Sequence, residues 1–323
     1  MTVNSKEGSF LFEEFDSAFL LKFFTHRKGE KRIGDFDLNK KNTRFVILGI
    51  QESIGPLANN GFSGSENAFD SFLRVFLNSQ VHEGFNIDQI TILGSIKFTS
   101  SFSSVEHASK QVAELDDFVI ELLNERVLEN QIPIVIGGGH NNAYPLIKWR
   151  FKEKAINVLN LDPHADCREI DRRHSGNSFS YAIDQGFLNK YAVLGLHEAF
   201  NNSFIRNFLV GQRIKHSYYE DYLVGNRNLI DDASEIIQSW NLDKHRIGIE
   251  IDMDSIANMP SSAFSPSGWS LDEVRAYLMR TIPQVEQLAY VHLPEAAPRN
   301  DLEHKLVGKA LTYLVRDVVN KAN

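Results

Sequence analysis

The 323-residue sequence contains one cysteine, Cys167, so it can build neither an internal disulfide framework nor a thiolate zinc site. Long apolar runs are also missing. The stretch Phe19-Leu20-Leu21-Lys22-Phe23-Phe24 is interrupted by Lys22, is too short to span a bilayer, and lacks a small-residue cleavage pattern after it. There is no repeat, no low-complexity tract and no Pro/Gly-rich linker that would divide the chain. Basic charge is in deficit, with 34 Lys and Arg against 42 Asp and Glu, a formal net charge of −8. That balance argues against nucleic acid as the main partner. These absences leave a cytoplasmic soluble protein, with neither membrane nor nucleic acid as partner, as the expectation. Apolar residues at 42% and charged residues at 24% supply a globular core and exclude disordered, collagen-like and coiled-coil readings.

What is present is an alternation of short apolar runs with longer helical stretches. Arg44–Ile50, Ile90–Gly94, Pro133–Gly137, Ile156–Leu161, Tyr191–Gly195, Arg246–Ile251 and Leu288–Leu293 read as strands. Their near-continuous hydrophobicity predicts a parallel sheet covered on both faces. Between Val105 and Leu128 apolar residues recur near a 3.6 period, and Ser270-Leu271-Asp272-Glu273 is a capping-box pattern opening another helix. A third apolar stripe runs from Leu306 to Val318. Length alone would allow two domains, but the pattern predicts one three-layer α/β/α domain over residues 1–323 with a central, mainly parallel sheet. Residues 1–42 are expected to form an N-terminal helical extension.

Three strand ends carry polar clusters, where open parallel sheets collect ligands. Asp162, His164 and Asp166 follow the Ile156–Leu161 run at a spacing of two, which in an extended chain points all three to one face. Without a cation they would repel or desolvate one another. Asp252 and Asp254 end the Arg246–Ile251 strand in the same way, and Gly137-Gly138-Gly139-His140 follows the Pro133 strand. That glycine run matches neither phosphate-loop spacing. Alone, the acidic pair reads as a solvated strand end and the histidine as structural. Together the three ends offer His140, Asp162, His164, Asp166, Asp252 and Asp254, a set suited to hard or borderline divalent ions and to metal-assisted hydrolysis.

With these residues in place the chain resembles the ureohydrolase superfamily, the arginase and agmatinase relatives, from about Phe45 to Pro298. The pieces occur in family order: Gly-Gly-x-His, Asp-x-His-x-Asp, Asp-x-Asp, and a late Glu295-Ala296-Ala297-Pro298. The resemblance implies an arginase-like fold, two Mn²⁺ (or other divalent ions) on the six residues, and Asp166 holding a bridging hydroxide. It also implies Glu295 at the substrate's amidinium or guanidinium, and a homo-oligomer, trimer or hexamer. Gly139 and Asp166-Cys167-Arg168 bring it closest to formimidoylglutamases, which implies Arg168 as a substrate-carboxylate contact; its alternative is an ion pair with Glu169 or a nearby aspartate. Ser175-Gly176-Asn177-Ser178-Phe179 resembles the family's substrate loop, placing Asn177 with the substrate and Phe179 where arginases carry a proton-shuttling histidine. The sequence departs from the pattern at Phe62, Pro163, Glu250 and Ala257-Asn258, none of which removes a ligand.

The expected reaction is hydrolysis of N-formimidoyl-L-glutamate to L-glutamate and formamide. The alternatives are a guanidine-cleaving ureohydrolase or a catalytically silent family member. His174 reads as a supporting or surface residue, with proton donation as the alternative, and Cys167 and the three tryptophans read as packing residues.

Overall fold

The computed structural model describes residues 2–152 and 154–322. Ten strands form one sheet. They are β1 (Thr2–Asn4), β2 (Phe10–Glu14), β3 (Phe45–Gln51), β4 (Ile90–Phe98), β5 (Ile132–Ile136), β6 (Ile156–Leu161), β7 (Leu188–Leu196), β8 (Lys215–Tyr218), β9 (Ile247–Ile251) and β10 (Leu288–Leu293). Their order across the sheet is β1-β2-β4-β3-β5-β10-β9-β6-β7-β8. Every pairing from β4 to β8 is parallel, while at the other edge β2 runs antiparallel to β4 and β1 antiparallel to β2.

The helices are α1 (Ser17–Leu20), α2 (Ile54–Ala58), α3 (Ala68–Phe76), α4 (Val105–Arg126), α5 (Ala143–Arg150), α6 (Ser178–Asp184), α7 (Ser203–Gly211), α8 (Tyr219–Leu223), α9 (Leu229–Asn241), α10 (Leu271–Thr281) and α11 (Asp301–Lys321). They fall on both faces because strand side chains alternate. Phe45 and Ile47 of β3 join α3, α9, α10 and α11 in one core, while Val46 and Leu48 join α4, α5, α6 and α7 in the other. Burial of both faces is why the central strands carry no polar alternation. Ser270 caps α10 through the backbone N–H of Glu273, whose side chain returns to Ser270, so the capping box forms as its sequence predicts.

The N-terminus corrects the expected helical extension. Within residues 2–42 the regular structure is two strands, the single-turn α1 and a 3₁₀ turn at Ile33–Asp35. Phe10 and Phe12 alternate into the core as β2 pairs with β4, and this two-residue period outweighs the helical look of the Phe19–Phe24 run. Among the described residues no helix is long and apolar enough to cross a membrane.

On one face α11 crosses α3 at Gly308, where a Cβ would sit 2.3 Å from the Ser71 carbonyl oxygen. A backbone atom cannot swing aside as a side chain can. Gly308→Ala is therefore expected to destabilise the protein by about 1–3 kcal/mol, despite alanine's better helix propensity. The check is a lower denaturant midpoint at unchanged slope.

Candidate metal centre and active-site cavity

Because β5, β10, β9 and β6 are parallel neighbours, their carboxyl ends lie side by side at the middle of one sheet edge. His140 follows β5, Asp162, His164 and Asp166 follow β6, Asp252 and Asp254 follow β9, and Glu295 follows β10. The glycine run before His140 serves the backbone rather than a phosphate. Gly137 and Gly138 adopt φ of 82° and 67°, and a Cβ on Gly138 would meet Asn142 Nδ2 at 2.4 Å and Glu52 Oε1 at 2.8 Å. Glu52 is buried at the end of β3 and accepts hydrogen bonds from the Gly139 N–H (2.8 Å), Asn142 Nδ2 (2.8 Å), Asn141 Nδ2 (3.2 Å) and the Gly55 N–H (3.1 Å). It pins the turn that aims His140.

The His140 ring is wholly buried, and its Nδ1 faces Asp252 Oδ2 at 2.9 Å, Asp166 Oδ2 at 3.0 Å and Asp162 Oδ2 at 3.2 Å. His164 Nδ1 faces the other oxygen of Asp162 at 3.5 Å and Asp254 Oδ2 at 3.8 Å. Asp162 thus offers one oxygen to each histidine, the arrangement of a carboxylate shared between two adjacent cation sites. Neither ring nitrogen of His140 has a hydrogen-bond partner of acceptable geometry. A buried imidazole left so, inside a ring of carboxylates, fits a divalent cation with nitrogen and oxygen ligands. The four residues His140, Asp162, Asp166 and Asp252 bring ligand atoms within 4.8 Å of one another.

The chain reaches this cluster by a different route from the one an extended strand would take. Residues 162–166 are not a continued strand, since Asp166 has φ of 47° and the chain turns there. The turn sends Asp166 back toward His140, while His164 goes to Asp254. Glu295 is the second left-handed residue of the site, at φ 68°. Such backbone costs about 1–3 kcal/mol and persists only where surrounding structure enforces it.

Crowding of the anions raises several of the cluster's pKa values. Burial alone would push the His140 and His164 imidazoles down, but the surrounding carboxylates carry His140 well above its ordinary value and His164 to about 9. Burial, then Asp162 and Asp254, raise Asp252 well above the carboxylate range. Burial, then Asp254, lift Glu295 to about 8. This is the state expected where anions crowd at low dielectric.

A cavity of about 190 Å³ opens over this cluster, walled by Asp166, Asp252, Asp254, His164, Glu295, Arg168, Asn59, Asn60, Ser175, Ser262 and Phe200, among others. Arg168 is exposed, and no carboxylate among the described residues pairs with it, so neither Glu169 nor a nearby aspartate takes its charge. Glu295 accepts the His140 N–H on Oε1 at 2.6 Å and leaves the buried Oε2 without a partner. Asn177 does not reach the cavity. Its amide is spent inside its own loop on Arg173, the His174 N–H, and the Glu169 and Arg172 carbonyls. Phe179 is fully buried, edge-on to His140 at 5.3 Å and stacked on Tyr191 at 4.2 Å. No proton carrier occupies that position. Cys167 is buried, and burial followed by Asp166 and Asp162 raises its thiol far above the ordinary value, so it packs rather than reacts.

The family model described as "Arginase family" matches residues 44–319. The chain belongs to the arginase family. It is 26% identical over 282 residues to a formimidoylglutamase of Macrococcus caseolyticus, covering 83% of each protein. It is 22% identical over 288 residues to one of Streptococcus pyogenes serotype M12, covering 85% of this chain and 84% of the relative. In fold it is similar to the crystal structure of Bacillus subtilis formimidoylglutamase, with a TM-score of 0.76 at 16% identity over 92% of this chain and 94% of the other. A Trypanosoma cruzi formiminoglutamase solved with Mn²⁺ superposes with a TM-score of 0.66 at 16% identity, covering 95% of this chain and 99% of the other. The three-layer arrangement expected from the strand pattern and the arginase-like fold implied by the resemblance are therefore the observed ones.

Two parts of the site escaped the sequence reading. Glu52 sits one residue past β3, and Asp116 on α4 pairs with Arg173 at 2.7 Å in a buried bridge that fixes the 166–178 loop. Neither carries a local motif, since their partners lie 87 and 57 residues away. The same loop encloses His174, whose ring nitrogens receive the Gly176 N–H at 3.1 Å and Asn177 Nδ2 at 3.1 Å. Burial, partly opposed by Asp171 and reinforced by Arg168, Arg172 and Arg173, lowers its pKa to about 4. Between pH 4 and 6.5 the unfolded chain binds the proton and the folded one does not. The His174 contribution is thus complete above pH 6.5 and lost as pH falls toward 4. Relative to a His174→Asn variant, the wild type should lose about 2 kcal/mol of unfolding free energy between pH 8 and pH 5, measured by urea denaturation. An equal pH dependence in both proteins would refute the assignment.

Proposed function

We propose that this chain is a binuclear-metal amidine hydrolase that converts N-formimidoyl-L-glutamate to L-glutamate and formamide. The observation that carries the substrate assignment is Arg168, an unpaired guanidinium on the wall of the same cavity that holds Asp166, Asp252, Asp254 and Glu295. A planar cation beside an acidic floor suits a substrate with a carboxylate at one end and an amidinium at the other. The named relatives at 26% and 22% identity are formimidoylglutamases, which supports the same reading. Family membership and the six converging ligands weigh against a silent binding protein.

His140, Asp162, Asp166 and Asp252 would hold one ion and His164, Asp162 and Asp254 the other, with Mn²⁺ favoured by this oxygen- and imidazole-rich set. Two such ions supply Lewis acidity and make an activated water available near neutral pH. Arg168 forks onto the substrate carboxylate and fixes the distance to the amidine carbon. Glu295, through its free Oε2, accepts an N–H of the amidinium and orients its plane. Asp166 accepts a hydrogen bond from the attacking water and aims it. As water adds, the bond from the amidine carbon to the glutamate nitrogen breaks, and that nitrogen takes the proton. With Phe179 packed behind His140 and His174 enclosed in its loop, Asp166 is the side chain placed to pass it.

We further assign residues 1–323 to one catalytic domain, since all strands belong to a single sheet, and place the protein in the cytoplasm as a step of histidine degradation. The reaction is tested by assaying Mn²⁺-loaded protein with formimidoylglutamate, arginine, agmatine and guanidinobutyrate. Formamide and glutamate are expected from the first and no urea from the others; urea as the principal product would overturn the substrate assignment. Arg168→Ala is expected to lower kcat/KM by about 10- to 100-fold, mostly through KM, from the loss of one charge-assisted contact.

A further inference from the structure

Glu250, one of the positions at which the sequence departs from the ureohydrolase pattern, stands inside an otherwise apolar strand. Its side chain is fully buried, with His292 Nδ1 at 2.7 Å on Oε2 and Tyr290 Oη donating at 2.8 Å to Oε1. The parallel register sets His292 beside Glu250 and Tyr290 beside Gly248. Gly248 is required there because a Cβ would lie 2.6 Å from the Tyr290 ring, and only its absence lets that ring lie across β9 to reach the carboxylate. The same Oε2 lies 3.4 Å from His140 Nε2, not in hydrogen-bonding geometry in this structure, and that buried nitrogen has no partner among the described residues. Tyr290, His292 and Glu250 thus form a built anchor ending at the back of the one ring whose front faces three aspartates.

We propose that Glu250 is a positioning residue that holds the proton of His140 on Nε2, so that the Nδ1 lone pair is presented to the cation shared with Asp162, Asp166 and Asp252. An imidazole has one proton to place in its neutral form, and the hydrogen bond on one nitrogen decides which nitrogen can ligate. A carboxylate does this more strongly than a hydroxyl and raises the basicity of the ligand. The effect is confined to the ion at His140, because His164 makes its contacts with Asp162 and Asp254 and none with Glu250. The inference rests on the binuclear reading above but not on the identity of the substrate.

The test is Mn²⁺ binding to metal-stripped protein, followed by electron paramagnetic resonance of the free ion. Wild type is expected to take up two ions. Glu250→Gln keeps the size and can still accept from Tyr290, yet it lacks the anion. It is expected to weaken one ion by about 10- to 100-fold and leave the other unchanged. Glu250→Asp keeps the charge and should recover part of the loss. The thermal midpoint of the stripped protein separates this from general disruption and should move far less than the affinity. Two ions bound by soluble Glu250→Gln with wild-type affinities would overturn the proposal, as would equal weakening of both. If that variant does not fold, Tyr290→Phe, which removes one of the two anchors of the carboxylate, is read instead. A few-fold loss at one ion is then expected, and none would overturn the proposal. Fewer than two ions on the wild type would defeat the binuclear reading itself, and this proposal with it.

Discussion

The structure is governed by a concentration of negative charge at the middle of one sheet edge. Asp162, Asp166, Asp252, Asp254, Glu250, Glu295 and Glu52 are buried or nearly so within a few strand ends of each other, against the imidazoles of His140, His164 and His292. At low dielectric such a group is unstable unless cations or hydrogen-bond donors offset it. Much of the local architecture is a response to that constraint. The left-handed glycines and Glu52 form a rigid turn for His140. The buried Arg173–Asp116 bridge ties the 166–178 loop to α4, and Arg173 also donates to the Asn141 carbonyl at 3.0 Å, joining that loop to the His140 turn.

How much of this could be read in advance depends on how far apart in the chain the partners lie. The candidate ligands are legible because each cluster is local: Asp162, His164 and Asp166, or Asp252 and Asp254, announce themselves within five residues at the end of an apolar run. The central strands were legible for the same reason, since burial on both faces leaves an unbroken apolar signature, and Ile156–Leu161 and Leu288–Leu293 have the bounds their hydrophobicity suggests. β2 was not, because its five residues pair with β4 some eighty positions later, and only two phenylalanines alternate inward. Glu250 was visible as an odd residue, but a glutamate at a strand end ordinarily faces water. What fixes its meaning is the register with β10, which no local pattern contains. Asn177 failed in the opposite direction. Its motif is local and recognisable, yet the amide faces its own loop, because a tight turn around residues 169–177 needs those donors and acceptors itself.

The carboxylates divide by how well their oxygens are supplied with donors. Glu52 has donors on both oxygens, three of them on Oε1, and Glu250 has Tyr290 on one oxygen and His292 on the other. Those two are complete as anions without a ligand. His292 and His140, against the effect of burial, hold Glu250 down to about 2. Asp252 spends Oδ1 on the Asp254 N–H and Asp254 spends Oδ1 on the Ala263 N–H, and each turns its remaining oxygen to a histidine. Asp166 has only the facing imidazole, and Glu295 leaves Oε2 bare.

This division explains why a site of seven acidic groups need not bind cations indiscriminately. A carboxylate saturated by N–H and O–H donors has little remaining field to offer an ion, whereas one held by a single donor is both oriented and underbonded. The underbonded oxygens of Asp166, Asp252 and Asp254 face inward to the two imidazoles, and that of Glu295 faces the cavity. Asp162 carries a donor on each oxygen, the Asn160 amide on Oδ2 and the His164 N–H on Oδ1, and still turns one oxygen to each histidine, so donor supply sets Glu295 apart but does not by itself mark the candidate ligands. On the proposed reading two divalent charges would match the four aspartates, leaving Glu295 as the residual anion for a cationic amidine and Arg168 for the opposite end of the molecule. The polarity of the proposed substrate would then follow from the charges that the aspartates and the two ions leave over.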